Sequence, residues 1–309
     1  MLGCTPYPDE SLFGFIFRFA ERRRSPTPFG LSLAHHVGFY RRLSNRPEAA
    51  WLTKLSTITE VPVEELLRLS FGYPDPKWAW HNGIRIPSAM ASISVGRERQ
   101  VCPECLAEAP YHRITWALSF ISVCPVHLAR LVTRCPDCRR ALRWTGQGVI
   151  HCSCGCDLSR APVERLPAAD THGTAVAYGL LGDQRFLAAA EAIRELLPLA
   201  DLSDGERLDF IWRAGLSGVG RHRAAWSVEK VGEAVFNAHL SLNRGVVIAQ
   251  DWPDAFIKSV DEMGDRVGRG EARDAILRWL DEGLESGHGA AIREAYERTA
   301  KRRARREMK

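Results

Sequence analysis

Eight of the nine cysteines in this 309-residue chain fall between Cys102 and Cys156, and this crowding constrains the fold more than any other feature. They form two groups of similar layout. The first is Cys102-Pro103-Glu104-Cys105, followed after eighteen residues by Cys124-Pro125-Val126-His127. The second is Cys135-Pro136-Asp137-Cys138, followed after thirteen residues by Cys152-Ser153-Cys154-Gly155-Cys156. Ligand pairs on tight turns at this separation are typical of zinc sites, whereas a disulfide framework belongs to secreted proteins.

The coordination chemistry of zinc accounts for the first group. Zn²⁺ prefers four sulfur or nitrogen donors at tetrahedral corners, and a C-x₂-C turn delivers two of them. The first site is therefore predicted to use Cys102, Cys105, Cys124 and His127. His112 and His151 stand nearby in the sequence as substitutes for His127, which alone has the knuckle spacing.

The second group offers three cysteines for the two places that follow Cys135 and Cys138. A Cys-x-Cys-Gly turn favours Cys152 and Cys154, because Gly155 permits the turn, and it leaves Cys156 as a spare thiol. Residues 142–144 and 149–150 are strand-like and predict a hairpin between the two turns, as in a zinc ribbon. Because both sites fill all four positions, we predict two structural Zn²⁺ ions and no catalytic residues.

Outside the cysteine region the apolar residues follow helical spacing, so the predicted fold is mainly α with small β zinc ribbons. We predict an N-terminal helical domain over residues 1–94, a zinc-binding module over 95–162, a C-terminal helical domain over 163–297 and a basic tail over 298–309. Helices are expected at 12–24 after a cap at Ser11, at 31–42, and as a pair at 50–55 and 62–69. Residues 71–99 are expected to form an irregular linker or docking arm.

One pair of predicted helices also suggests a function. The pair ending at residue 69 consists of short amphipathic helices joined by a tight turn, which is the helix-turn-helix pattern and equally that of a plain helical hairpin. In the C-terminal part, helices are expected at 189–197, 207–213, 272–284 and 290–306, and in a segment opened by Asp251 as cap ahead of Pro253.

Charge is distributed unevenly along the chain, although the net charge is only +5. Residues 161–297 carry 23 acidic against 15 basic residues, whereas residues 298–309 carry seven basic residues and one acid. A basic front and tail suit contact with nucleic acid, and a solvated tail explains the counts equally well. The candidate phosphate contacts are Arg22, Arg23, Arg24, Arg41, Arg42, Arg139 and Arg140, and each cluster could instead be a solvated helix face.

The composition also narrows the cellular setting. No stretch approaches the roughly 18 apolar residues that a membrane span needs, which argues against an integral membrane protein. The first six residues have neither a basic start nor an apolar signal core. We therefore predict a cytoplasmic protein with no membrane partner.

The order of these motifs is similar to that of the TniQ family. Residues 6–16 resemble the opening of that family, and residues 101–106, Trp116, residues 124–127 and residues 135–138 resemble its zinc region. Residues 152–158 resemble its Cys-x-Cys-Gly-x-Asp-Leu close, which supports Cys156 as the spare thiol. The likeness is specific over about residues 6–160, and downstream only residues 251–253 with Phe256 resemble the family, weakly.

The resemblance implies a non-enzymatic accessory protein of transposition. Members of the family select or mark a DNA target and link it to an AAA+ ATPase regulator, which then recruits the transposase. Some relatives bind an attachment sequence directly, and others dock on a CRISPR effector complex and often pair as dimers. The family's helix-turn-helix elements agree with the helices predicted at 55–69. This chain is shorter at its C-terminal end than the longest selectors, which carry an extended sequence-reading region.

Two other functions fit parts of the sequence. A zinc-ribbon transcriptional regulator would bind one DNA sequence tightly with no ATPase present. A metalloenzyme or nuclease acting on DNA ends would require added Mg²⁺ or Mn²⁺ and would lose its activity with a single acidic substitution.

Overall fold

Helices account for most of the secondary structure, as the sequence predicts, and the strands are short. The computed structural model describes residues 4–25, 47, 49–72, 78–87, 99–144, 148–216, 237–267, 274, 276–285 and 287–307. These residues fall into two units. Unit 1 consists of Met1–Gly83 and Pro87–Ala168, and unit 2 consists of Ile84–Ile86 and Ala169–Lys309.

Helix α1 (Leu12–Arg22) lies in the core of unit 1 and is buried from Leu12 to Ala20. Ser11 caps it as predicted, since its Oγ accepts a hydrogen bond from the Gly14 N–H at 3.0 Å. A helix surrounded by other elements needs apolar residues on every face. The charged Arg18 is accommodated because its Nε and Nη2 donate to the two carboxylate oxygens of Glu10, at 2.9 and 2.6 Å.

Helices α2 (Ala49–Thr59) and α3 (Val63–Arg68) are the predicted pair. Glu60, with a φ of 60°, reverses the chain between them. The two helices are confirmed, whereas a DNA-reading helix-turn-helix stays a prediction. The first turn of α3 carries Glu64 and Glu65, which suit the positive end of a helix but would repel DNA phosphates there. The helix predicted at 31–42 lies outside the described residues.

Two short strands stand within the segment predicted to be irregular, and that prediction is wrong over residues 78–87. Strands β1 (Trp78–His81) and β2 (Ile84–Pro87) are joined by Asn82 and Gly83, whose φ angles are 50° and 78°. A two-residue hairpin turn of type I′ needs positive φ at both positions, and Asn-Gly is its preferred sequence. Each strand has only four residues, which are too few to show the alternation of apolar and polar side chains that identifies a strand, and a glycine and prolines flank the segment.

The cysteine region of unit 1 is built from short elements. Helix α4 (Pro103–Glu108) is followed by the antiparallel strands β3 (Val123–Cys124) and β4 (Ala129–Arg130). The hairpin predicted from residues 142–144 and 149–150 is not formed as expected, because residues 148–150 make a turn. Pairing occurs instead beside each cysteine turn, where Arg134 bridges Ala141 and His151 bridges Asp157. Short 3₁₀ helices occupy Ile114–Ala117 and Leu158–Arg160.

Unit 2 is helical. Its elements begin with α5 (Ala168–Leu180), at the boundary of the two units, and continue through a 3₁₀ turn (Gln184–Phe186), α6 (Leu187–Arg194), α7 (Asp204–Leu216), α8 (Ala238–Gln250), α9 (Asp254–Val267), a π-helical turn (Trp279–Gly283) and α10 (Ala290–Glu307). The helices expected at 207–213 and 290–306 are present, and the helix expected at 189–197 is present as far as Arg194. Asp251, which was expected to cap α9, ends α8, and its carbonyl accepts a hydrogen bond from the Ala255 N–H in the first turn of α9 at 3.0 Å. Among the described residues, no helix is long and apolar enough to cross a lipid bilayer.

Helices α7 and α8 cross at glycines, which explains why α8 was not predicted. A Cβ on Gly215 would lie 1.7 Å from the carbonyl oxygen of Ser241, and a Cβ on Gly245 would lie 1.9 Å from that of Ile211. Only glycine allows two backbones to approach so closely. The same glycines weaken the helical pattern in the sequence, because glycine is a poor helix former.

Candidate metal centres

The first cluster joins helix α4 to the β3–β4 hairpin. Cys102 caps α4, Cys105 lies in its first turn, Cys124 ends β3, and His127 lies in the turn that follows. Pro103 opens the helix, where its fixed φ suits the first turn. The structure brings these four predicted residues together, with their ligand atoms all within 4.8 Å of one another.

The distances in the first cluster suit a tetrahedral metal ion. Nδ1 of His127 lies 3.5, 3.2 and 3.6 Å from the sulfurs of Cys102, Cys105 and Cys124, and the last two sulfurs are 3.6 Å apart. Tetrahedral zinc with Zn–S bonds of about 2.3 Å would place its sulfurs about 3.8 Å apart. A disulfide would need about 2.05 Å, and all these cysteines are free.

His127 is oriented by a carboxylate behind it. Its Nε2 lies 2.9 Å from Oε1 of Glu108, the last residue of α4. A proton on Nε2, shared with Glu108, leaves the lone pair of Nδ1 directed at the three sulfurs. Burial alone would lower the pKa of His127, but its hydrogen bonds to Glu108 and Cys124 outweigh burial and raise it. Hydrogen bonds from Cys102 and Cys105 lower the pKa of Cys124 to about 2, which favours a thiolate in the cluster.

The second cluster contains the four cysteines that the sequence selects. The sulfurs of Cys135 and Cys154 are 3.6 Å apart and those of Cys138 and Cys152 are 3.8 Å apart, and all four lie within 4.8 Å of one another. Cys156 is not part of this group. The spacing again suits tetrahedral coordination by thiolates. No third group of this kind occurs in the part of the chain that the structure describes.

Two of the predicted phosphate contacts help to build the second cluster. The Arg139 N–H donates to the carbonyl of Cys135 at 2.9 Å, and the Cys135 N–H donates to the carbonyl of Arg140 at 2.9 Å. The backbone N–H of Arg140, together with its side chain, lowers the pKa of the Cys138 thiol to about 6. Both arginines are exposed, so either can also face an external anion.

The other candidate phosphate contacts lie in the N-terminal part of the chain. Arg22, Arg23 and Arg24 are exposed at the end of α1, and the Arg23 guanidinium lies 5.2 Å from the centre of the Phe19 ring. Arg41 and Arg42 lie outside the described residues.

Neither alternative histidine joins a cluster. Nδ1 of His112 is 2.8 Å from Oγ of Ser11 in the core of unit 1, and burial holds the pKa of His112 well below its usual range. The backbone of His151 pairs with Asp157, and its carbonyl accepts a hydrogen bond from Arg99.

Sequence reasoning missed three residues that contact the clusters: Glu108, Arg99 and Arg165. Glu108 follows Cys105 by one helical turn, so a helix predicted from Cys102-Pro103 could have placed it near the metal site. Arg165 donates to the carbonyl of His127, which is 38 positions earlier. Only the folded chain shows that contact, because no local pattern connects the two positions.

The opening segment of the chain packs directly on the cysteine region. Tyr111 Oη donates to Oδ1 of Asp9 at 2.6 Å, and the Ile114 N–H donates to the carbonyl of Asp9 at 2.8 Å. The rings of Tyr7 and Tyr111 stack with their centres 4.1 Å apart. The residues that open the chain and the residues around the first cluster are therefore parts of one packed structure.

These features define a mainly helical protein that carries two four-ligand clusters able to hold metal ions. A comparison with known protein families matches residues 1–131 to the TniQ family. The match includes the opening motif and the first cluster, and it stops before Cys135. The resemblance seen in the sequence is thus confirmed over this range. No curated protein matches the chain.

Proposed function

We propose that this chain is a zinc-stabilised, non-enzymatic accessory protein of transposition, which selects or marks a DNA target and links it to an AAA+ ATPase regulator. The TniQ match suggests a transposition-associated accessory role. The observation that carries the proposal is structural. The opening motif and the first cluster both fall within the matched range, and they are packed against each other through Asp9, Tyr111 and Ile114.

The proposed cofactor is Zn²⁺, with one structural ion in each cluster. The first would be held by Cys102, Cys105, Cys124 and His127, and the second by Cys135, Cys138, Cys152 and Cys154. Three thiolates with an imidazole, and four thiolates, are donor sets that structural zinc prefers. When bound, zinc supplies a cross-link between turns that are far apart in the sequence. Side chains would fill all four coordination positions of each ion, so neither ion is proposed to take part in catalysis.

The metal content of the purified chain tests this assignment. We expect two zinc ions per chain by native mass spectrometry, and one after either Cys105→Ser or Cys138→Ser. The matched control is Cys156→Ser, which removes a neighbouring thiol from outside the second group and should leave both ions bound. Loss of an ion from Cys156→Ser would contradict the ligand assignment of the second cluster.

DNA binding is proposed to involve phosphate contacts from Arg22, Arg23, Arg24, Arg41, Arg42, Arg139 and Arg140. The exposure of the described members of this set supports the proposal. Each phosphate contact contributes about 0.9 to the slope of log affinity against log salt. We expect the Arg22→Ala, Arg23→Ala, Arg24→Ala triple variant to flatten that slope. Arg185→Ala, which removes an arginine paired with Asp183 in unit 2, serves as the control. An unchanged slope in the triple variant would contradict this part.

The proposed adaptor binds target DNA and the AAA+ ATPase, and it contacts the transposase through the ATPase. A CRISPR effector complex and a second copy of the chain are further proposed partners. The test measures DNA binding by the zinc-loaded protein with and without a cognate AAA+ ATPase and ATP, at a stated salt concentration. Association with DNA only through the ATPase would support the adaptor. Tight binding to one sequence by the protein alone would favour the transcriptional regulator instead.

A further inference from the structure

The two clusters are each held by an arginine that comes from beyond the other cluster in the sequence. We propose that these arginines are reciprocal clamps. Arg165, which follows the second cluster, positions the ligands of the first, and Arg99, which precedes the first cluster, positions the ligands of the second. The inference rests on the proposed binding of metal at both clusters. The spacing of the cysteines predicts neither these two arginines nor a coupling between the sites.

Arg165 connects the two halves of the first cluster. Its Nη1 donates to the carbonyl of His127, a ligand in the hairpin turn. Its Nη2 donates at 2.5 Å to Oε1 of Glu104, which lies between Cys102 and Cys105. One guanidinium therefore bridges the C-x₂-C turn and the C-x₂-H turn. A planar, forked group is suited to two such contacts at once.

The backbone around Arg165 fixes this position. Arg165 bridges Ala129 of β4, the Arg130 N–H donates to the carbonyl of Glu164 at 3.0 Å, and the Leu166 N–H donates to the carbonyl of Leu128 at 2.8 Å. Residues 164–166 thus extend the β3–β4 hairpin by a third short segment. The clamp is set by main-chain hydrogen bonds rather than by a flexible side chain alone.

Arg99 makes the corresponding connection at the second cluster. Its N–H donates to the carbonyl of Leu142 at 2.9 Å, shortly after the Cys135–Cys138 turn. Its Nη1 and Nη2 donate to the carbonyls of Val149 and His151, each at 2.7 Å, just before Cys152. The residue is 3% exposed, and its guanidinium lies 4.9 Å from the centre of the Trp144 ring.

The charge of a loaded second cluster suits this arrangement. Zn²⁺ with four thiolates carries a net charge of about −2. The hydrogen-bond partners of the Arg99 guanidinium are neutral carbonyls, and a buried cation needs a counter-charge. The thiolates of the neighbouring cluster would provide it. Burial lowers the pKa of Arg99 to about 10, and the charge of Cys152 opposes that shift.

The exposed clamp gives the sharper test, because Arg165 has a side chain that is 60% exposed and can be replaced without opening the core. Metal release to an excess of chelator is followed on the Co²⁺-substituted protein, whose ligand-field bands distinguish a Cys₃His site from a Cys₄ site. We expect Arg165→Met to release Co²⁺ from the first site about tenfold faster. The control is Arg160→Met, which replaces an arginine whose side chain is 87% exposed and forms an ion pair with Asp157.

The buried clamp is tested with the conservative variant Arg99→Lys, which keeps the charge but lacks the fork. We expect about tenfold faster release from the second site, with the first site affected less. Arg99→Met should release faster still, or should fail to retain the second metal. Retention by Arg99→Lys at the wild-type rate would overturn the clamp.

Coupling between the sites is measured by a double-mutant cycle. Cys138→Ser empties the second site, and release from the first site should then speed up, because residues 164–166 follow directly from the loosened segment. The same substitution on the Arg165→Met background should add little. Fully additive effects would contradict the coupling. If wild-type protein holds no metal, the proposed function fails. If it holds two metals and all the variants release them at the wild-type rate, only this inference fails.

Discussion

Gly14 shows at the scale of one residue why the opening motif and the metal region act as one structure. A Cβ at this position would lie 2.9 Å from Cβ of His112 and 3.1 Å from its carbonyl oxygen. Alanine normally stabilises a helix interior by about 1 kcal/mol relative to glycine. Here the contact is too close, and we expect Gly14→Ala to lower the free energy of unfolding by about 1–3 kcal/mol in urea titrations.

The control for Gly14→Ala is Thr53→Ala, an exposed position in helix α2. Alanine there raises the helix propensity without a steric conflict and removes only an exposed hydrogen bond from the Thr53 hydroxyl to the Ala49 carbonyl, so this variant should be as stable as wild type or slightly more stable. A Gly14→Ala protein that matches it would show that α1 can move away from His112 at no cost.

Single residues of the candidate sites were predictable where the chemistry is local. Cys102 and Cys105 share one turn, and His127 completes a second one, so the first ligand set followed from spacing alone. In the second set three cysteines competed for two places, and Gly155 favoured Cys152 and Cys154 over Cys156. The structure groups Cys152 and Cys154 with Cys135 and Cys138. Glu108 is marked only by its place one helical turn after Cys105. Arg99 and Arg165 act across the fold, and nothing in their sequence neighbourhood marks them.

At the scale of secondary-structure elements, one carboxylate joins three parts of unit 2. Glu206, in the first turn of α7, is 2% exposed. It accepts hydrogen bonds from Ser203, from the Glu285 N–H at 2.6 Å and from His288 at 2.6 Å, and it lies 3.5 Å from Arg85. The contacts with the Ser203 N–H and hydroxyl close the N-terminal turn of the helix, while the other contacts tie in two distant segments.

Removal of this carboxylate should destabilise unit 2 strongly. Glu206→Ala leaves several part-buried donors without their acceptor, and the loss of an acceptor costs up to about 1–3 kcal/mol where the donor is buried. We expect hydrogen exchange of residues 204–216 and 285–289 to rise by at least tenfold. Glu195→Ala, at an exposed position, is the matched control. If α7 keeps its protection from hydrogen exchange in the Glu206→Ala variant, the carboxylate does not hold these segments together as its contacts indicate.

The same residue gives a pH dependence with a definite sign. Burial would raise the pKa of Glu206, but the hydrogen bonds from Glu285, Ser203 and His288 outweigh burial and lower it from its usual 4.5. A carboxyl group with a lowered folded-state pKa contributes stability above the unfolded-state pKa and loses it as the pH falls through the folded-state value. The stability difference between wild type and Glu206→Gln should therefore be largest above about pH 4.5 and shrink on acidification. A constant difference from pH 3 to pH 7, measured by urea unfolding, would contradict this.

The elements differ in how well the sequence predicts them, for a physical reason. Helix α1 follows from its cap and its apolar spacing, and α7 follows from spacing alone. Helix α8 was missed because Gly245, which its crossing with α7 requires, weakens the helical pattern. The strands at residues 78–87 were missed because strands of four residues show no clear period, and only the Asn82-Gly83 turn between them marks a hairpin in the sequence.

At the scale of the whole molecule, the proposed metals belong to one unit only. All eight candidate ligands lie in unit 1. There Trp144, whose ring centre is 4.9 Å from the Arg99 guanidinium, packs on Phe13 and Phe17 of α1 with ring centres 5.6 and 5.1 Å apart. Metal binding to such clusters supplies folding free energy directly. The stability of α1 should therefore depend on metal, although α1 contains no ligand.

Stripping the metals should consequently unfold one unit and spare the other. In excess chelator, we expect hydrogen exchange to increase across residues 12–22 and 99–144, while residues 204–216 and 238–250 keep their protection. Zinc added back should restore the pattern and Mg²⁺ should not, because thiolate ligands select zinc over hard cations. The Cys156→Ser protein, treated in parallel, should respond like wild type. If α1 stays protected after both ions have been removed, its packing against the cysteine region holds without metal, and the structural role of zinc is confined to the two knuckles.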